Sequence, residues 1–156
     1  MRLYDVLVHR VKTGMTAVLI SLLLPVSAHA ALVELRTGPA AAMAVHVETD
    51  WSRLNLFAGG GLALPGFIGS PLRHPSLTFG ARLYTQADAA VRPYISTQYG
   101  WVMRTDGLEP FTGGGLGLAW HFGPDMAYRL TVETGLLLRN SWVPYPSAGL
   151  GLAVKL

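Results

Sequence analysis

The chain has 156 residues, room for one domain, and only 13% are charged, about half the share usual in a soluble domain. Cysteine is absent, which excludes a disulfide framework and any cysteine-based metal site. From Ala31 onward nine Lys and Arg face eight Asp and Glu with no basic run, which argues against a nucleic-acid partner.

Residues 1–14 carry Arg2, His9, Arg10 and Lys12, and an apolar run covers 15–24. Pro25 ends that run, and Ala28-His29-Ala30 places small residues at the two positions a signal peptidase reads. The run is short for a helix that must cross a bilayer with about 20 residues. Residues 1–30 are therefore expected to be a cleaved signal peptide, leaving 31–156 as one domain.

Beyond Ala31 the text alternates with period two, the signature of strands. A first and weaker strand is expected at 31–37, with Val33 and Leu35 opposite Glu34 and Arg36. In the next, Met43, Val45 and Val47 oppose Ala44, His46 and Glu48. Over 53–64, Leu54, Leu56, Ala58, Leu62 and Leu64 oppose Arg53, Asn55, Phe57, Gly59 and Gly61. Over 76–86, Leu77, Phe79, Ala81 and Leu83 oppose Thr78, Gly80, Arg82 and Tyr84. Over 91–104, Val91, Ile95, Tyr99, Trp101 and Met103 oppose Arg92, Tyr94, Ser96, Gln98 and Arg104. Over 111–122, Leu116, Leu118, Trp120 and Phe122 oppose Gly113, Gly115, Gly117, Ala119 and His121. Over 126–139, Tyr128, Leu130, Val132, Leu136 and Leu138 oppose Arg129, Thr131, Glu133 and Arg139. Over 147–156, Leu150, Leu152, Val154 and Leu156 oppose Gly149, Gly151, Ala153 and Lys155.

Several of these segments exceed the usual globular strand of about 5–6 residues and match the roughly 9–11 that a tilted membrane strand needs. The polar faces are rich in Gly, Tyr and Arg, which suits the cramped inside of a small barrel, where side chains interdigitate. Connections alternate: short ones at 49–52, 87–90 and 123–125, longer ones at 65–75, 105–110 and 140–146. Outer-membrane barrels pair short periplasmic turns with longer external loops. Aromatics gather at both expected rims, with Trp51, Trp120, Phe122 and Tyr128 at one and Tyr99, Trp101, Phe111, Trp142 and Tyr145 at the other. The fold expected is all-β: a closed, antiparallel, up-and-down transmembrane barrel of eight strands.

This pattern resembles the small outer-membrane barrels of the OmpA/OmpX type. Its closing stretch, with Gly149, Leu152, Val154 and Leu156, resembles the C-terminal signal read by barrel-assembly machinery, although such chains typically end in Phe and this one ends in Leu156. The resemblance implies outer-membrane lipid and the assembly machinery as partners and no cofactor or metal. It leaves any partner of the surface loops open.

The inward residues include Glu34, Arg36, His46 and His121, together with Glu48, Arg53, Arg82, Arg92, Arg104, Arg129, Glu133 and Arg139. The last eight are expected to form an ion-paired network, because an unpaired charge in a poorly hydrated lumen costs several kcal/mol. A structural or surface-interaction role with a plugged lumen follows. Two alternatives stand beside it. One is a soluble, lipocalin-like barrel for a small apolar ligand. The other is a lipid A-modifying enzyme built on Ser70, His74 and Asp106. The echoes Phe57-Ala-Gly-Gly-Gly and Phe111-Thr-Gly-Gly-Gly are not phosphate loops, since no Lys-Ser/Thr ending and no Rossmann frame accompanies them.

Overall fold

A computed structural model describes residues 31–38, 43–49, 53–64, 74–139 and 144–156. Alternation becomes eight strands: β1 (Ala31–Thr37), β2 (Met43–Thr49), β3 (Leu54–Ala63), β4 (His74–Tyr84), β5 (Val91–Arg104), β6 (Gly107–Phe122), β7 (Tyr128–Arg139) and β8 (Pro144–Lys155). Each pairs antiparallel with its sequence neighbours, and β1 also pairs with β8, so the sheet closes into a barrel with no crossover. The first strand, weakest in the sequence, is the one that closes the ring.

The register fixes the geometry. Starting at Val33, the paired residues run through Val47, Ala58, Phe79, Tyr99, Thr112 and Leu138 to Pro144. The β8 partner of Val33 is Val154, ten residues from Pro144, so the register slips by ten residues around the ring. Eight strands with that stagger tilt by about 40° from the barrel axis. Each residue then climbs roughly 2.5 Å along the axis, given a rise near 3.3 Å along the strand.

The stagger also explains where the prolines sit. Pro75, Pro93, Pro110, Pro144 and Pro146 all lie inside strands. Each stands beyond the last ladder pair on one flank. Ladders end at Ser76 and Tyr94 between β4 and β5, at Phe111 between β6 and β7, and at Leu150 between β8 and β1. Proline removes a ladder donor and is tolerated where only one neighbour pairs. Read as loop residues, Pro75, Pro110, Pro144 and Pro146 made the expected connections too long. The expected loop 105–110 is a two-residue turn, because Arg104 already pairs with Gly107, whose φ of +146° suits glycine. The expected loop 140–146 likewise gives way to β8 at Pro144, and 65–75 to β4 at His74. Met126 belongs to a 3₁₀ turn, Pro124–Met126, rather than to β7. The expected turn 49–52 and the residues 1–30 lie largely or wholly outside the described residues.

The two faces of the wall are inverted relative to a soluble protein. Leu116 is 63% exposed, Leu136 54% and Leu150 56%, all on the outer face. Glu34, Arg82 and Arg129 are fully buried inside. On the outer wall, the hydroxyls of Thr97, Thr112 and Thr134 lie within hydrogen-bond reach of the carbonyls of Gly113, Gln98 and Ser147, so each turns its polar atom back onto the sheet.

Candidate functional site: the barrel interior

Large inward side chains are accommodated by glycine on the neighbouring strand. His46 pairs across from Gly59, Phe57 from Gly80, Tyr94 from Gly117, Phe111 from Gly100 and Leu137 from Gly113. A Cβ at Gly80 would come within 2.6 Å of Phe57 Cζ, and one at Gly100 within 2.6 Å of Phe111 Cζ. A Cβ at Gly117 would overlap the Tyr94 ring. Within the glycine runs after Phe57 and Phe111, Gly59 and Gly113 make room for His46 and Leu137.

Several layers stack inside. A central one is ionic. Glu34 on β1 accepts hydrogen bonds from Arg82 Nη2 at 2.8 Å and Thr131 Oγ1 at 2.7 Å, and Arg129 Nη2 stands 3.8 Å away. Glu133 accepts from Arg36 Nη2 at 2.6 Å and from the Tyr94 hydroxyl at 3.0 Å, with Arg82 Nε at 3.9 Å. The Arg82 guanidinium lies over the rings of Phe57 and Tyr94, 5.1 and 5.4 Å from their centroids. His46 stacks on Phe57 as well, with 5.3 Å between the ring centroids. Towards the end where β4 joins β5, Tyr84 and Tyr94 pack with Ala119, and Arg129 donates to the Tyr84 hydroxyl.

Towards the opposite end, where β5 turns into β6, Ala63, Val102, Phe111 and Leu137 form an apolar layer with Tyr145 against it. Phe111 and Tyr145, expected in an outer aromatic ring, therefore point inward. Their odd-numbered positions share the parity of the inward glycines on β6 and β8. Above this layer sits a second ionic group, in which Glu109 takes Arg104 at 3.0 Å and Arg139, and Arg104 also meets Asp106.

The expected network residues thus fall in different places. Arg82, Arg129 and Glu133 join the central layer. Arg104 and Arg139 belong to the rim group around Glu109, a carboxylate that sequence reasoning did not assign to the network. Arg92 donates to the Ala89 carbonyl at 2.9 Å, because it stands beside the turn between β4 and β5 and finds a main-chain acceptor there. Arg53 lies exposed just before β3 begins. The side chain of Glu48 lies outside the described residues. Glu34 and Arg36, left out of the expected network, make two of its principal pairs. Their inward parity was the available signal.

On the outer face, Phe79, Tyr99 and Trp101 form one ring cluster and Trp120, Phe122 and Tyr128 another. Val91 pairs with Trp120, and Tyr99 and Trp101 stand eight and ten residues farther along β5. The clusters are therefore about 20–25 Å apart along the axis, close to the height of an outer-membrane apolar band. Trp51 and Trp142 lie outside the described residues. On β8, Leu152 and Val154 face outward, Leu156 follows its end, and Gly149 faces inward opposite Glu133.

The residues weighed for catalysis are placed apart in role. His74 is buried at the start of β4 with Nδ1 3.2 Å from the Met103 carbonyl oxygen, Asp106 is engaged by Arg104, and Ser70 lies outside the described residues. Among the described residues no group of three His, Asp or Glu could hold a metal ion.

No protein family matches the sequence, and no curated protein does. Solved structures do. The N-terminal β-barrel domain of Pseudomonas aeruginosa OprF is 14% identical, with 82% of this chain and 98% of that one covered and a TM-score of 0.60. A de novo designed transmembrane β-barrel is 19% identical over 82% of this chain and 96% of that one, with a TM-score of 0.47. A major outer membrane protein of Thermus thermophilus is 12% identical over 83% of this chain and all of that one, with a TM-score of 0.41. At these identities the likeness is one of fold: this chain has the fold of the small eight-stranded outer-membrane β-barrels.

Proposed function

We propose that this protein is a non-enzymatic outer-membrane barrel with a plugged lumen, serving a structural role, with its external loops supplying any surface interaction. The observation that carries this reading is the inverted wall: outward Leu and Val at about half exposure around fully buried Arg and Glu. Exposed apolar area of that extent marks a contact surface, one that runs around the whole wall suits lipid, and closure satisfies the backbone without water. A lipocalin-like carrier would need the reverse arrangement. In the proposed orientation the turn between β5 and β6 is external and the Trp120–Tyr128 cluster lies at the periplasmic boundary. Residues 1–30 serve as the export signal, and the β8 end is read by the assembly machinery.

The test is expression with the leader in a Gram-negative host. The expected product begins at Ala31, pellets with the outer membrane, needs detergent for extraction and migrates faster in gels before boiling than after. Recovery of the folded protein from the periplasm without detergent overturns the reading. Stepwise conductance in planar bilayers overturns the plugged lumen.

A further inference from the structure

Between the central ionic layer and the apolar layer lies a cavity of about 30 Å³. A water-sized sphere needs roughly 10–15 Å³ by such a measure, so the space exceeds one water. Its lining crosses the wall. Ser147 and Gly149 stand at inward positions of β8, whereas Thr37 on β1 and Ala148 on β8 stand at outward, exposed ones. The crossing lies where the β1–β8 ladder ends at Thr37 and Leu150, while β8 runs on to Pro144. Gly38 and Gly149 bring no side chain to this mouth. Following the register from Thr37 through Leu150, Val132 and Leu118 to Pro93 places the mouth roughly 5–10 Å below Trp101 along the axis.

Inside, the space offers donors. Gln98 points inward yet is only partly buried, so its amide stands against the cavity. The hydroxyls of Thr78 and Ser147 line the same space, and none of these three side chains has a hydrogen-bond partner among the described residues. The carboxylate on the lining, Glu133, already accepts from Arg36 and Tyr94. A neutral acceptor therefore suits the site. Its route is the wall, because the layer of Val102, Phe111 and Leu137 stands towards one end of the barrel and the ion pairs of Glu34 and Glu133 towards the other. Tryptophan marks headgroup level, so a mouth just below Trp101 faces the depth at which acyl chains join their headgroups. Resting on the outer-membrane reading above, we infer that this cavity is a seat for the ester carbonyl of an external-leaflet lipid. The Gln98 amide donates to that oxygen, with the Ser147 and Thr78 hydroxyls beside it, and the acyl chain stays outside along Ala148 and Leu150. The small volume admits the carbonyl and not a headgroup.

The probes are dimyristoyl phosphatidylcholine and its diether analogue with chains of equal length, which lacks the carbonyl. The full folded protein is placed in bicelles of each, and nuclear Overhauser contacts of the Gln98 side-chain amide are recorded together with the urea midpoint of unfolding. The expected results are a contact from that amide to the α-methylene of the diester lipid, no such contact in the diether, and a higher midpoint in the diester. Gln98→Met keeps the size, leaves the ion pairs intact and should abolish most of the midpoint difference. Gly38→Leu fills the mouth, where a Cβ meets only the Ala148 carbonyl oxygen at 3.8 Å, and should abolish the Gln98 contact with the amide itself unchanged. Amide contacts to water alone in the diester bicelle overturn the seat, and so does a midpoint difference that Gln98→Met leaves intact. A chain that does not insert into bicelles overturns the outer-membrane reading, whereas an inserted, fast-migrating barrel without the lipid contact overturns this inference alone.

Discussion

Glu34 shows how a single buried carboxylate serves several strands at once. It sits on β1, yet its partners come from β4 and β7, and His46 on β2 stands 3.9 Å from it. Replacing it by Gln keeps the shape but removes the charge that Arg82 and Arg129 share. Breaking one side of a buried pair costs about 3–5 kcal/mol, so Glu34→Gln should lower unfolding stability in urea by that order. Asp106, 72% exposed in its pair with Arg104, is the contrast: Asp106→Asn should cost about 0–1 kcal/mol. Urea titration of the refolded protein in micelles, followed by tryptophan fluorescence, compares the two. Equal effects would show that the central layer is not desolvated. Glycine obeys the same logic of space. Gly117→Ala pushes a methyl into the Tyr94 ring and should cost about 1–3 kcal/mol in the same assay.

Strands, rather than residues, set the height of the outward apolar band. Leu116 stands between the two aromatic clusters, whereas Leu108 lies beyond Trp101 near the turn into β6. Arginine on a barrel wall costs about 2–4 kcal/mol at the bilayer midplane and about 0–1 near its boundary. Leu116→Arg should therefore be strongly destabilising in vesicles and Leu108→Arg close to neutral, read by denaturant unfolding in the same lipid. A reversed order would move the band. The prolines make the matching point about pairing. Sequence alone reads Pro75, Pro110, Pro144 and Pro146 as loop residues. They are strand residues because the stagger leaves each with a single paired flank.

Closure belongs to the molecule as a whole. Leu35 is paired on both sides, with Val45 on β2 and Leu152 on β8. A proline there removes a ladder donor from a strand paired on both flanks, where proline is not tolerated. Leu35→Pro should abolish the fast-migrating band on unboiled gels, whereas the natural prolines at one-flank positions coexist with it. Survival of that band would mean that the ring closes without β1.

The period-two pattern by itself determined which side of each strand faces outward, because adjacent side chains in an extended chain must point in opposite directions. Eight strands, the inward charges and the small inward residues were all legible on that ground. The partners of those charges were not. Glu34 meets Arg82 and Thr131, 48 and 97 residues away, only through a ten-residue register slip around the ring. No local spacing encodes that slip. The same holds for Phe111, whose parity was visible but whose place in an inner apolar layer depends on which glycine faces it. Faces are a local consequence of chain geometry, whereas contacts across a barrel depend on closure, which sums the register of every hairpin.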